Sequence, residues 1–284
     1  MVSCRGRMRP VFVDREVATR LERAEADLTR RYVDAYSRLC PEVGAASREV
    51  AGGCVSFAGM DSPLSRADAG GLSGPAAPKD LDAIEEFLES RGANSTIETC
   101  AFTDQSVFDF AGRRGYRIGH ILNVFALPLS PQSRPDRGTT ALGTGSEVRP
   151  LSKSTADSDL WCNTVGRGFA SIEDGDVPYM DIYRGIFHAV GTIGYLATVD
   201  GVPVGAGALK IAGQVAYLST ASTLPPYRRK GIQSALLMHR LSDAITQGCD
   251  LAAIVTSPGS DSERNVLRVG FALAYARIRL VKRR

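Results

Sequence analysis

The chain has 284 residues, which fits roughly two compact domains with cores that need neither disulfides nor metals. Apolar residues make up 44% and charged residues 23%, which excludes a largely disordered, collagen-like or coiled-coil chain. Lys and Arg number 34 against 31 Asp and Glu, and a net charge of +3 gives no general pull toward nucleic acid or acidic membranes. The cysteines (Cys4, Cys40, Cys54, Cys100, Cys162, Cys249) have no CxxC spacing, and His120, His188 and His239 complete no metal quartet. They read as small core residues of a cytoplasmic protein, with no metal expected. No window approaches the roughly 20 apolar residues of a membrane span, and the basic start of the chain has no apolar run after it.

In chain order, Asp14 to Leu39 is predicted helical. Val17, Leu21, Ala24, Leu28, Tyr32, Tyr36 and Leu39 recur at helical steps, with Asp14 as N-cap and Pro41 as stop. Val50 to Ala58 suits a strand, and Gly59 to Pro78 a loop rich in Ser, Pro and Gly. A helix from Asp80 carries Leu81, Ile84, Phe87 and Leu88 on one face, with Gly92 just beyond its end. Ser95 to Ala101 alternates like a strand, Asp104 to Arg113 suits a short helix, and Ile118 to Leu129 a long strand.

Ser130 to Ser146 holds almost no large apolar residue, and the domain boundary is placed there. The expected units are 1–130 and 147–284, joined by a linker at 131–146. After it, Asp157 to Phe169 is amphipathic. Tyr195 to Thr198, Val202 to Ile211 and Val215 to Thr223 form a meander, turning at Asp200-Gly201 and Ala212-Gly213. A helix from about Gly231 to Gln247, a strand at Leu251 to Thr256, a short helix at Ser262 to Val269 and a strand at Phe271 to Val281 complete the chain. Each half ends on helix, glycine, aromatic and long strand (Gly115-Tyr116 and Gly270-Phe271), a faint internal repeat.

The chemistry concentrates between Val215 and Leu237. A strand meets Pro225-Pro226, then Arg228-Arg229-Lys230-Gly231, then an amphipathic helix. The first amides of a helix lack acceptors and carry the positive end of its dipole. Gly231 lets an anion approach the backbone, Arg228, Arg229 and Lys230 add charge, and Ser234 adds a hydroxyl donor: a pyrophosphate pocket. The prolines end the ladder and leave Ala221, Ser222 and Thr223 free to pair with an extended ligand arm. The same tetrad would equally serve as a solvated basic helix start with a turn glycine. Neither a P-loop nor a strand–turn–helix GxGxxG is present.

Thr223-Leu-Pro225-x-Tyr227-Arg228-x-x-Gly231-Ile232-Gln233-Ser234-Ala235-Leu236-Leu237 resembles motif A of the GNAT superfamily of acyl-CoA-dependent N-acetyltransferases. Asn265-x-x-Arg268-x-Gly270-Phe271 resembles its closing signature, and the Asp200-Gly201 hairpin its central one. The resemblance covers roughly 148–284. It implies a mixed α/β (α+β) fold, and the element order of the first half extends this to tandem GNAT-like domains, each a mostly antiparallel sheet flanked by helices. It further implies that backbone groups of Ala221, Ser222 and Thr223 take the pantetheine arm of acetyl-CoA and that Arg229 to Ser234 (with Ile232 and Gln233) hold its pyrophosphate. The thioester would enter between strands 215–223 and 251–256, with Ser262 and Asn265 near the pantetheine or the thiol.

Three departures stand out. Gln233 replaces the last small residue of the pattern, Val266 stands where the family often has a tyrosine acid, and strand 215–223 lacks the frequent glutamate base. Glu173, Asp174 and Asp176, in the loop after the first helix of this half, are the remaining acidic candidates. The first half lacks the Arg-x-x-Gly pattern before its helix at 80–91 and reads as a degenerate GNAT-like unit covering one side of the acceptor cleft. The expected activity is acetyl transfer to a primary amine of a small molecule by a monomer or homodimer, with neither a nucleic-acid nor a membrane partner. The alternative is a non-catalytic acyl-CoA sensor or scaffold.

Overall fold

The computed structural model describes residues 12–133, 143–171 and 179–283. Most of the predicted linker, and all of Glu173, Asp174 and Asp176, lie outside the described residues.

The first helix, α1 (Arg15–Leu39), starts where Asp14 accepts a hydrogen bond from the Val17 amide at 2.9 Å. Its buried stripe includes Ala18, Leu21, Leu28 and Tyr32. Where one strand was expected at 50–58, the chain folds into a hairpin, β1 (Ala46–Val50) and β2 (Gly53–Phe57). Ala51 and Gly52 turn it with φ of 53° and 73°, a left-handed pair that the apolar run conceals. The expected loop at 59–78 contains a three-residue strand, β3 (Arg66–Asp68). Then follow α2 (Pro78–Glu89), β4 (Ser95–Cys100), α3 (Gln105–Arg113) and β5 (Arg117–Pro128).

The second half adds β6 (Ser146–Pro150), α4 (Thr155–Ala170), α5 (Met180–His188), β7 (Thr192–Val199), β8 (Val202–Ala212), β9 (Val215–Thr223), α6 (Ile232–Thr246), β10 (Leu251–Thr256), α7 (Asp261–Val269) and β11 (Ala272–Lys282). β6 and α5 were not anticipated as elements.

The described strands all join one sheet in the order β1-β2-β3-β4-β11-β5-β10-β9-β8-β7-β6. The last strand of each half is therefore inserted in the other half. β11 lies between β4 and β5, and β5 lies between β11 and β10. The repeat seen in the sequence sits at this crossing. Four helix ends share one closure: the amides of Ala93, Tyr116, Cys249 and Phe271 each reach back to the carbonyl five residues earlier, at 3.0, 3.0, 3.0 and 3.1 Å. Each follows a left-handed glycine (Gly92, Gly115, Gly248, Gly270). Thus α2-β4-α3-β5 and α6-β10-α7-β11 are built alike.

One face of the sheet packs against α6 through Leu236, Leu237 and Leu241, with Tyr195, Leu209 and Phe125 from the strands. On the other face α1 covers Tyr217, Val124, Ala253 and Tyr275, while α4 and α5 pack around Trp161 and Phe187. The contact under α1 is not purely apolar. Glu22 accepts from Arg277 Nη2 at 2.8 Å and from the Tyr275 hydroxyl at 2.8 Å, all three being buried. Arg66 Nε reaches Asp68 at 2.7 Å, and Arg279 Nε reaches Glu98 at 2.8 Å. Burial pushes the Asp68 carboxyl up to about 6 against the pull of Arg66.

The Glu22–Arg277 pair ties the first helix to the last strand, and Arg279–Glu98 ties that strand to β4. Arg277→Met leaves the Glu22 carboxylate buried without its cation, which typically costs about 3–5 kcal/mol. At about 2–4 °C per kcal/mol for chains of this order, the melting temperature should fall by about 10 °C in a calorimetric scan. An unchanged melt would mean that the pair contributes nothing to stability.

Candidate functional site

β9 and β10 run parallel, paired only at Val215–Leu251, Ala216–Ala252 and Tyr217–Ala253. Beyond that point they part. β10 stays with β5 as far as Thr256–Asn123, while β9 follows β8 as far as Thr223–Gly205. The opening is the splay expected between these strands. β9 is turned by a bulge, since Ala206 faces Ser222 and Ala208 faces Ser219, leaving Thr220 and Ala221 opposite Gly207 alone. Thr220 takes φ 50° there, a strained value for a β-branched residue. Nothing in the local sequence announces the bulge.

A cleft of about 960 Å³ lies against this splay. It brings together Ala221, Ser222 and Thr223 of β9, Arg228 and Arg229 of the turn, Gly231, Ile232, Gln233 and Ser234 at the start of α6, and Ser262 and Asn265 of α7. Of the candidates drawn from the basic stretch and α7, only Lys230 is outside the lining. It is exposed, with its ammonium 5.1 Å from the centre of the Tyr227 ring.

Gly231 caps α6 with φ 82°, and no side chain fills the cap. The amide of Ala235 makes a bond back to the Gly231 carbonyl at 3.0 Å. The amides of Ile232, Gln233 and Ser234 precede it and have no acceptor within the helix. Arg229 is also left-handed, with φ 62°. Successive backbone groups of this kind form a concavity suited to an anion.

Arg228 has a different role from a free phosphate ligand. Its guanidinium donates to the Thr223 carbonyl (3.1 Å), the Gly168 carbonyl (2.9 Å) and the Ser171 hydroxyl (3.0 Å), and so ties the end of β9 to the end of α4. The Ser222 hydroxyl turns to the Val165 carbonyl at 2.8 Å, leaving the backbone of Ser222 to the cleft. Gln233 accepts from the Thr223 hydroxyl at 3.4 Å, so its side chain lies toward the strand end.

Gly168 makes the contact of α4 with β9 possible. A Cβ there would stand 2.3 Å from Ser222 Oγ and 2.7 Å from its Cβ. Gly168→Ala should therefore push α4 off the strand and cost about 1–3 kcal/mol in a urea melt; an unchanged midpoint would show that the two elements are not packed this closely.

Several lining residues were given no role from the sequence. Arg264 and Arg268 stand a turn apart on α7, facing the cleft, with Arg264 paired to Asp261 (2.9 Å) and Arg268 donating to Asn265 (3.4 Å). Their spacing from Asn265 was the available signal. Phe169 is half exposed at the rim and stacks on Tyr183, with centroids 6.3 Å apart and planes 5° apart. Val266 faces the core and is 3% exposed, so the position where a tyrosine acid is frequent supplies packing. His188 meets Ser158 at 3.1 Å, and burial lowers its pKa, as befits a packed helix end.

The corresponding region of the first half is filled by its own atoms. β3 and β4 pair at Ala67–Ile97. Pro78 has no amide hydrogen, and the Asp80 carboxylate accepts from the Ala77 amide at 2.7 Å. The Ala76 amide is taken by Ser106 at 2.9 Å, and a Cβ on Gly71 would stand 2.6 Å from Val107. Among the described residues no cluster of His, Cys, Asp and Glu could hold a metal ion, and no helix is long and apolar enough to cross a membrane.

A parallel splay, a bulged strand and an open helix start at its mouth define an acetyltransferase fold of the GNAT type. Residues 160–271 match the acetyltransferase (GNAT) family, so the second half of the chain carries a GNAT acetyltransferase domain. Solved structures agree. A GCN5-related N-acetyltransferase from Kribbella flavida superposes with a TM-score of 0.66 at 17% identity, over 94% of this chain and 95% of that one. A tandem GNAT protein from the clavulanic acid biosynthesis pathway gives 0.61 at 14% identity, over 91% and 93%. A GCN5-related N-acetyltransferase from Sphaerobacter thermophilus gives 0.53 at 16% identity, over 70% and 64%. At these identities the likeness is one of fold. No curated protein matches the chain.

Proposed function

We propose that this protein is a cytoplasmic N-acetyltransferase that moves the acetyl group of acetyl-CoA to a primary amine of a small molecule, by direct attack in a ternary complex. The observation that carries the reading is the open start of α6, with left-handed Gly231 and unaccepted amides, set beside the splay of β9 and β10. The pyrophosphate would rest on the amides of Gly231 to Ser234. The pantetheine arm would pair with the backbone of Ala221, Ser222 and Thr223, with Ser262 and Asn265 on its other side. Arg229 and Lys230 would supply charge, and Arg228 would hold the strand end in place.

The chemistry balances without a metal. The neutral amine attacks the thioester carbonyl, a C–N bond forms and the C–S bond breaks. The coenzyme leaves as a thiolate and takes up a proton, while the nitrogen loses one. Holding both reactants in one cleft supplies much of the rate, up to about 7–11 kcal/mol in the best-aligned cases. A backbone amide of the bulged segment would stabilise the carbonyl oxygen as it gains charge. Glu173, Asp174 and Asp176 remain candidates for receiving the amine proton. We further propose two GNAT-like units, 1–130 and 147–284, in which only the second binds coenzyme and the first screens the acceptor side.

Titration calorimetry with acetyl-CoA, followed by free-thiol detection with a panel of amino acids, amino sugars, polyamines and peptides, tests the reading. Binding and thiol release with one class of amine are expected. Negligible heat would end the proposal. The buried Val266 favours a second reading, an acyl-CoA sensor. That protein would bind acetyl-CoA yet release no thiol with any amine.

A further inference from the structure

The β9 bulge does not hold itself. Behind it stands Arg240 of α6, 2% exposed. Its Nε donates to the Leu236 carbonyl at 3.0 Å, one turn back on the same helix. Its Nη1 donates to the Ala208 carbonyl at 3.1 Å and the Ser219 carbonyl at 3.3 Å, one on each strand flanking the bulge. The residue opposite the bulge, Gly207, makes room for it: a Cβ there would stand 3.2 Å from the guanidinium carbon and 3.1 Å from the Ala221 Cβ. The Gly207 carbonyl is held from the far side by the Trp161 indole at 3.0 Å. A two-against-one register thus has a buried cation bonded across it.

No carboxylate pairs with Arg240 among the described residues. Its burial is expensive, since desolvation pulls the group down to about 10, yet it remains charged at neutral pH. A cation serving packing alone would be better replaced by an apolar side chain of similar length. A positive charge with no counter-charge, one strand-thickness behind a kinked strand, does something a methionine does not. It bonds the Ala208 carbonyl to the Ser219 carbonyl across the two-against-one register and sets a buried positive charge behind it.

We propose that Arg240 is a positioning residue for acetyl transfer, holding the Ser219–Ala221 bulge open and polarising it so that its backbone receives the thioester carbonyl. The inference rests on the acetyl-transfer reading. It adds that the site for the developing oxyanion is built from behind, by a side chain that never touches substrate. Removing a preorganised donor to an oxyanion typically costs about 10²–10³-fold in turnover, and loss of Arg240 should fall at the lower end, about 10²-fold, because the amide itself stays.

The test uses the full chain and a readout that requires no acceptor: the infrared stretch of the carbonyl of isotopically labelled acetyl-CoA, free and bound. In the wild type the band should move to lower frequency on binding. In Arg240→Met it should lose more than half of that shift while affinity for CoA without the acetyl group is unchanged. Arg240→Lys, which keeps the charge but cannot span three carbonyls, should retain an intermediate shift. Gly207→Ala, which pushes the guanidinium from the opposite side, should lose it like the methionine variant and keeps the test decisive if Arg240→Met does not fold. A full shift in the variants, or no shift in the wild type with acetyl-CoA bound, overturns the inference and leaves the acetyl-transfer reading standing. Absence of acetyl-CoA binding by the wild type overturns both.

Discussion

Gly231→Asp should abolish measurable acetyl-CoA binding while leaving the protein folded. Two effects act together on binding. A side chain at φ 82° is strained by about 1–3 kcal/mol, and it occupies the space a diphosphate oxygen must enter. Its carboxylate also opposes the ligand's charge. Two like charges about 4 Å apart repel by about 4 kcal/mol at an effective dielectric constant of about 20, close to a thousandfold in affinity. The strain should lower stability by no more than about 1–3 kcal/mol, which a chain of this size survives folded. Gly231→Asn isolates the charge: asparagine fills the same space as aspartate without its repulsion, so it should weaken binding by less than the aspartate variant does. Calorimetric titration of the three proteins decides the matter. Equal affinity for wild type and the aspartate variant would mean that the helix start does not receive the coenzyme.

Residues 143–284 expressed alone should fail to fold. They contain the whole family match, 160–271, and the described elements from β6 to β11. In the sheet, however, β10 and β11 do not pair with each other. β5 of the first half lies between them, and β4 flanks β11 on its other edge. The fragment would expose both edges of β11, lose the α1 cover from Tyr217 and Ala253, and leave Arg277 and Arg279 without Glu22 and Glu98. Circular dichroism and gel filtration should show an aggregated or unfolded chain. Co-expression with residues 1–133 should restore a soluble complex, because that cut leaves every described strand whole. A monomeric fragment with a cooperative melt would show that β5 is replaceable.

Local signals made much of this legible. The hairpin at Asp200-Gly201, the start of α6 at Gly231 and the four helix–glycine–strand joints depend on neighbours in sequence, where turn and cap chemistry is decided. Nearly all the coenzyme-site candidates share one cleft because they come from a single strand–turn–helix and one later helix. What escaped was decided at a distance. β3 consists of Arg-Ala-Asp, and its polar residues are buried only because Glu25, Glu98 and one another compensate them. Thr220 is the wrong residue for a left-handed bulge, and the guanidinium that holds it arrives from α6. The interleaving of β5 and β11 is not readable in either strand, since the partners of Arg277 and Arg279 stand 255 and 181 residues earlier in the chain.

That interleaving has a consequence for the order of events during synthesis. β5 leaves the ribosome with neither of its neighbours in existence. The first, β10, begins only at Leu251, and the second, β11, at Ala272. At translation rates of roughly 5–20 residues per second, a bare apolar ribbon must wait on the order of ten seconds for its partners. Nascent chains should therefore engage a holding chaperone over this interval, and slowing elongation after Pro128 should lower the soluble yield more than slowing it before Arg117.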